Sequence, residues 1–467
     1  MQNKNETSDS GSFLRRTSAS FVQRGAEASH EREFRATKRS DARPDATRPL
    51  PMRLLAPAGG PEQLRQAIHF GADEVYLAGE RWGMRARSRN FTREQLADAV
   101  SEAHGAGVAV HVTLNTMMLD RDIDELPEYL HFLDDIGVDA AIAADLGAIA
   151  LLREHAPHVE IHASTQDSIM NARAAEEYAR LGARRLVLAR EMSLAEVAEL
   201  RRRLPSELEI EVFAHGSMCM AVSGRCLLSS ELVGRGRGAS FGACTQPCRW
   251  GWTLVEESQP DVRRLPVEYD GQWSYILSSN DLCMLGHLDD LAAAGVDAIK
   301  IEGRAKGAYY TACVTNAYRH VLDGEPAERW AGELDAVSHR PYSTGFFYGN
   351  PTQNPGRVEY ERDRLMVATV ERCEPVPPGI ARPGGIARPG GDFVAEVRCR
   401  NKVDVGATLQ VLSAGEPIRE CELVRVEHWD AGCESWEPAG GITRAMELYR
   451  VWLPFSVEEL DILCLKA

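Results

Sequence analysis

Residues 53–79, RLLAPAGGPEQLRQAIHFGADEVYLAG, decide the fold. Two short apolar runs, 53–59 and 74–79, flank a stretch with helical period, PEQLRQAIHFG. Strand, helix, strand in that order predicts parallel pairing across a crossover helix. The unit recurs. Further runs are AVHVTLN (109–115), AAIAADL (140–146), EIHAST (160–165), RLVLAR (185–190), EIEVFAHG (209–216) and DAIKIEG (297–303). Helical stretches such as TREQLADAVSEAHGAG and SLAEVAELRRRL lie between them. Eight such units over roughly 250 residues predict a TIM-type (β/α)8 barrel within residues 51–350. An open doubly wound sheet is the competitor, but no G-x-G-x-x-G follows the first run.

Outside this core the composition changes. Residues 1–50 are rich in Ser, Arg, Thr and Ala and are expected to be a disordered tail. Seven acidic residues in that tail speak against an organelle transit peptide. Residues 351–467 carry short alternating runs (LMVATVERC, DFVAEVRCR, ATLQVLSA, ELYRVWLP) that predict a small C-terminal β-barrel domain. A tandem GIARPG copy at 379–391 reads as a hairpin loop, and RPYSTGFFYGNP (340–351) as either a packing turn or a substrate-facing loop. No run of about 18 apolar residues or secretory core is found, so a cytoplasmic chain with no membrane partner is expected. The net charge of −16 excludes a surface coated in positive charge. A nucleic-acid substrate would need a local patch. Candidates are Arg184, Arg185 and Arg201–Arg203, the last equally readable as a solvated helix end, then Arg225, Arg235, Arg237 and Arg249.

In a barrel of this kind the chemistry sits at the C-terminal ends of the strands. The residues expected there are polar: Asn115, Asp145, His162, Ser164, Gln166, Arg190, Glu191, His215, Lys300, Glu302 and Arg304. A cysteine-rich loop, 216–250, follows the seventh run. It holds four of the eleven cysteines, Cys219, Cys226, Cys244 and Cys248, spaced C-x6-C-x17-C-x3-C. Four thiolates suit an iron–sulfur cluster or a tetrahedral zinc. The rest of the loop region, 255–272, reads as a surface hairpin. No G-x-S-x-G elbow or H-E-x-x-H signals a hydrolase. A Cys219 thiolate with His215 four residues earlier is the remaining nucleophile candidate. A cluster above a polar mouth suits redox chemistry on a bound substrate.

The segments LLAPAGGPEQLRQAIHFGADEVYLAG, EVFAHGSMCMAVSGRCLLS, GACTQPCRW, NDLCML and IKIEGR together resemble the collagenase-like peptidase family U32 over residues 53–350. The family name records protease activity. The resemblance also implies oxygen-independent hydroxylation of RNA or of ubiquinone precursors, with a cysteine-bound [4Fe–4S] cluster. The barrel plus one short β domain is most similar to the branch that forms 5-hydroxyuridine at the tRNA wobble position, with prephenate or a related small anion as co-substrate. Carried over, the ligands are Cys219, Cys226, Cys244 and Cys248, with Cys283 of NDLCML as a replacement for one. Lys300, Glu302 and Arg304 match the family's K-I-E-G-R strand. The expected pocket is His162, Gln166, Arg190, Glu211, His215, Lys300, Glu302 and Arg304. The expected partners are tRNA and the anion. Alternatives are a peptidase, with cluster or zinc only structural, and a cluster-bearing subunit for ubiquinone-precursor hydroxylation. Some relatives work as heterodimers, so a homo- or hetero-oligomer is also expected.

Overall fold

The segment FGAD at residues 70–73 shows how one unit is joined to the next. Helix α1 (Pro61–His69) ends at Phe70, and Gly71 (φ 86°) takes the left-handed turn that closes it. Asp73 then accepts a hydrogen bond at Oδ2 from Leu54 N (2.7 Å), at the start of the preceding strand. The step recurs as Gly137-Val-Asp139, whose carboxylate accepts from Val110 N (2.7 Å), and as Gly295-Val-Asp297, which accepts from Ile210 N (2.8 Å). Each aspartate pins the incoming strand to the one before it and satisfies an end amide.

The computed structural model describes residues 49–84, 90–218, 253–255, 264–266, 280–349, 364–376 and 393–466. Its strands are β1 (Arg53–Pro57), β2 (Glu74–Leu77), β3 (Ala109–Leu114), β4 (Ala140–Ala143), β5 (Glu160–Ala163), β6 (Ala183–Val187), β7 (Glu209–Ser217), β8 (Thr253–Val255), β9 (Arg264–Pro266), β10 (Asp281–Cys283), β11 (Ala298–Ile301) and β12 (Tyr342–Ser343). Strands β1 to β7 pair in sequence order, and β11 pairs in parallel with both β7 and β1. Eight parallel strands thus close a barrel, one for each predicted run. Helices α2 (Arg93–Gly105), α3 (Asp120–Asp135), α4 (Leu146–His155), α5 (Ala172–Arg180), α6 (Leu194–Arg203), α7 (Leu288–Ala293) and α8 (Ala308–Leu322) lie between or after them, followed by α9 (Ala327–Leu334). The helix starts are written in the sequence. Thr92 with Gln95 and Ser193 with Glu196 form capping boxes, and Asp145 caps α4 through the amides of Gly147 and Ala148. No helix among the described residues is long and apolar enough to cross a membrane.

Strand β7 overshoots the barrel. Beyond β11 it pairs antiparallel with β10, which pairs in parallel with β12. This places the 340–349 segment as packing: Arg340 is buried, Tyr342 Oη donates to Leu334 O (2.9 Å), and Leu194 N donates to Phe347 O (3.1 Å). The expected hairpin at 255–272 corresponds to the antiparallel pair β8–β9.

The C-terminal strands are β13 (Arg364–Pro375), β14 (Phe393–Cys399), β15 (Val403–Asp404), β16 (Thr408–Ser413), β17 (Glu416–Glu422), β18 (Val426–Asp430), β19 (Ser435–Ala439), β20 (Gly441–Ile442), β21 (Leu448–Leu453) and β22 (Ile462–Lys466). They form an eight-stranded antiparallel sheet in the order β17-β16-β22-β13-β14-β21-β18-β19, with β15–β20 as a separate pair. A small barrel was expected here. Among the described residues the outer strands β17 and β19 are not paired with each other, so the sheet is antiparallel without recorded closure. The tail to residue 48 and the GIARPG repeat lie outside the described residues.

Candidate functional site in the barrel interior and at its mouth

Residues partnered across a sheet share a face, and alternate residues change face. Lys300 is partnered with Leu55 and Phe213, Leu55 with Glu74, Tyr76 with His111, and Arg185 with both His162 and Glu209. The face carrying Lys300 points into the barrel. Most such barrels fill this space with Val, Ile and Leu. Here it holds ions.

Arg185 is the hub. Its Nη1 and Nη2 donate to the two oxygens of Glu74 (2.6 and 2.7 Å), its Nε to Glu209 (2.9 Å), and Nη1 also to Glu211 (3.1 Å). Lys300 Nζ donates to the other oxygen of Glu211 (3.0 Å). Arg53, at the outer end, pairs with Glu74 (3.2 Å) and Glu209. Three cations thus meet three carboxylates, and the set is neutral. Burial alone would raise the Glu211 carboxyl, but Lys300 and Arg185 hold it below the usual carboxylate range. Burial pushes the Lys300 ammonium down, with Glu211 opposing. His111 and His162 meet edge to face (4.7 Å between centroids), and burial pushes both well below the usual histidine range, so both are neutral.

Above this layer stand more cations. Arg304 Nη1 donates to Thr113 Oγ1 (2.6 Å). Arg190 Nη1 donates to Ser217 O (2.7 Å), and its guanidinium lies 3.7 Å over the Phe213 ring. Lys300 Nζ sits 4.4 Å over Tyr76 and 5.5 Å from the same Phe213 ring. The loop after β1 makes room for Arg304. A Cβ at Gly59 would stand 2.0 Å from Arg304 O, so no side chain fits there. Ser164 and Gln166 are buried together after β5, with Ser164 Oγ accepting from Gln166 N (3.3 Å).

His215 does not join this group. The bulge between Lys300 and Ile301 turns it toward α8, where its ring packs against Tyr310, Tyr318 and Tyr342. Burial pushes it down to about 3. Glu302 is held on the same side, its carbonyl accepting from Tyr310 Oη (2.8 Å). Cys283 is also on this side. Tyr318 Oη points at its Sγ (3.9 Å) and burial pushes the thiol up. Asp145, expected at the mouth, is the cap of α4, and Asn115 accepts from Met84 N (3.1 Å).

Of the predicted set, Glu211, Lys300 and His162 come together in the interior, and Arg190 and Arg304 stand above them. Cys219, Cys226, Cys244 and Cys248 lie outside the described residues, as do Arg225, Arg235, Arg237 and Arg249. Arg185 is corrected from surface patch to buried hub. The Arg201–Arg203 run is a helix end: Arg201 donates to Leu208 O (2.8 Å), and Arg202 and Arg203 pair with Glu199. Glu74, Glu209, His111 and Arg53 were missed. The available signal was alternation, as in E-I-E at 209–211, which sends both acids to one face.

Fold and interior together define a (β/α)8-barrel protein with an ion-filled core and cations at the C-terminal ends of its strands. The chain belongs to peptidase family U32, whose family model matches residues 59–356. It is 31% identical over 444 residues to the tRNA hydroxylation protein P of Escherichia coli (strain K12), covering 86% of this chain and 93% of that one. It is 38% identical over 306 residues to the tRNA hydroxylation protein P1 of Bacillus subtilis (strain 168), covering 64% and 71% respectively. Over 287 residues it is 36% identical to the 23S rRNA 5-hydroxycytidine C2501 synthase of Escherichia coli, covering 62% of this chain and 41% of that one.

Proposed function

We propose that this chain is an RNA-modifying enzyme that hydroxylates the tRNA wobble uridine at C5 without oxygen. The observation that carries the reading is the similarity to a tRNA hydroxylation protein over 86% of this chain and 93% of that one. The site is compatible with it. Arg190, Arg304 and Lys300 offer charge-assisted hydrogen bonds to an anion, which suits prephenate or a related small co-substrate. The soft donors Cys219, Cys226, Cys244 and Cys248 have the chemistry to hold a [4Fe–4S] cluster, which would supply electron transfer to the bound substrate. Cys283, half-buried beside Tyr318 with its thiol pushed up by burial, is a poorer donor than these four. Among the described residues, Asp430, Cys433 and Glu437 come close enough to share a metal ion, on the C-terminal sheet, and nothing there points to a ligand.

A peptidase built on Cys219 would need a base. His215, four residues earlier, is a weak one: it is enclosed by tyrosines and held at about 3. The deciding experiment is nucleoside analysis of tRNA from a strain lacking the gene, with iron and sulfide analysis of protein purified without oxygen. Loss of 5-hydroxyuridine, together with about four irons per chain, is the expected result. Intact 5-hydroxyuridine in a strain with no oxygen-dependent backup, or zinc in place of iron, would return the peptidase to the front.

A further inference from the structure

We propose that Lys300 is an imine-forming amine, and that the barrel takes a small 2-oxo acid whose carbonyl carbon condenses with Lys300 Nζ. The composition first draws attention to this residue. Of 53 basic residues only six are lysines, at 4, 38, 300, 306, 402 and 466. Arginine is used almost everywhere a positive charge is wanted. Two arginines, Arg53 and Arg185, already serve the ion network below. Lys300 nevertheless stands inside the barrel, on β11. A guanidinium cannot be deprotonated in a protein, whereas a buried ammonium can, and only the free amine is a nucleophile.

The surroundings fit the reaction. Nζ is 3.0 Å from a Glu211 oxygen, close enough to pass a proton. Its other neighbours are the faces of Tyr76 (4.4 Å) and Phe213 (5.5 Å), which form a weakly solvated wall. Arg190 lies 3.7 Å over that same Phe213 ring and its charge acts on the amine, so a guanidinium is at hand to take the carboxylate of the ligand. Burial favours the neutral amine.

The step balances without an oxidant. Lys300 gives a proton to Glu211, and the amine nitrogen attacks the keto carbon to form the C–N bond. The carbonyl oxygen takes one proton from the attacking nitrogen and one back from Glu211, and leaves as water as the C–O bond breaks, which returns Glu211 to its carboxylate. The resulting iminium draws electrons from the neighbouring carbon, easing loss of a proton or breakage of a C–C bond there. The proposal deepens the reading of the site as an anion-binding mouth and rests on it only for the identity of the natural ligand. Its test needs neither RNA nor cluster.

Full-length protein is incubated with pyruvate and cyanoborohydride, digested, and mapped by mass spectrometry. Lys402 and Lys466 are exposed and serve as internal standards for the reagents. The expected result is a reduced pyruvate adduct on Lys300 in preference to both standards. Its loss in Arg190→Gln is also expected, with folding checked by circular dichroism. Labelling of Lys402 and Lys466 with Lys300 unlabelled, or labelled no faster, overturns the proposal. An Arg190→Gln variant that labels Lys300 as fast as the unaltered protein removes the carboxylate anchor and with it the assignment to a 2-oxo acid. Any of these results leaves the tRNA reading to its own test.

Discussion

At the scale of single residues, the barrel's interior behaves as a closed charge set in which each member depends on the rest. Removing Arg185 would leave Glu74, Glu209 and Glu211 facing one another with only Arg53 and Lys300 to offset them. Breaking a buried ion pair from one side costs about 3–5 kcal/mol. Arg185→Met is therefore expected to lower unfolding stability by about that amount in denaturant titrations. A change under about 1 kcal/mol, the range of a surface pair, would mean that Arg185 is no hub. Gly59→Ala tests the opposite end of the barrel. Its Cβ would meet Arg304 O at 2.0 Å, so the two loops must part and shift Arg304 from Thr113. If the mouth takes a 2-oxo acid as proposed, weaker binding of pyruvate, read by calorimetry, is the expected outcome, and unchanged binding would detach Gly59 from the site. Lys300, Arg304 and His162 were legible as chemistry-bearing side chains assigned to the strand ends, whereas Glu211, near the start of its run, entered only through the family resemblance. His215 points out of the pocket because β7 carries an extra residue at Ala214, between the partners of Lys300 and Ile301, and sequence carries no mark of that bulge.

At the scale of elements, the three G-x-D joints set β2, β4 and β11 each against the strand before it in the barrel. Asp297 accepts from Ile210 N (2.8 Å) and lies 3.4 Å from Arg201 Nη1. Asp297→Ala would strand a strand-end amide, and about 1–3 kcal/mol of destabilisation is expected, with faster hydrogen exchange at Ile210. No change in that exchange would remove the joint from the account. The strands themselves were easy to read. All eight runs appear within two residues of their predicted start, because short buried runs between capped helices leave few alternatives. The C-terminal domain was harder. Alternation identifies antiparallel strands but says nothing about whether the last meets the first, which depends on strand order.

At the scale of the whole molecule, barrel and C-terminal sheet share a seam. Gln66 Nε2 donates to Leu460 O (3.0 Å), His69 Nε2 meets Asp461 (3.0 Å), and Arg364 Nη1 donates to Gly332 O (3.2 Å). Beside it Glu333 lies buried, with Asn316 Nδ2 on one oxygen (3.0 Å), and burial pushes its carboxyl up to about 8. A carboxyl raised in the folded state favours folding while protonated. Its contribution is full below about 4.5 and is lost as pH rises to about 8. Unfolding temperatures measured from pH 5 to pH 9 should therefore fall, and Glu333→Gln should flatten that fall. An unchanged slope would mean that the carboxyl is ionised throughout. Another long-range link runs through β7. Nine residues long, it spans about 30 Å, from the ion layer at Glu209 and Glu211 to Ser217 at the mouth, where Arg190 grips its last carbonyl. A strand pinned by neighbours on both sides neither stretches nor slips by halves. Tension applied to the chain beyond Met218 travels down it as along a push-rod. A one-residue slip would rotate both acids away from Arg185 at once, so the charge balance at the bottom acts as the detent that holds the mouth in register.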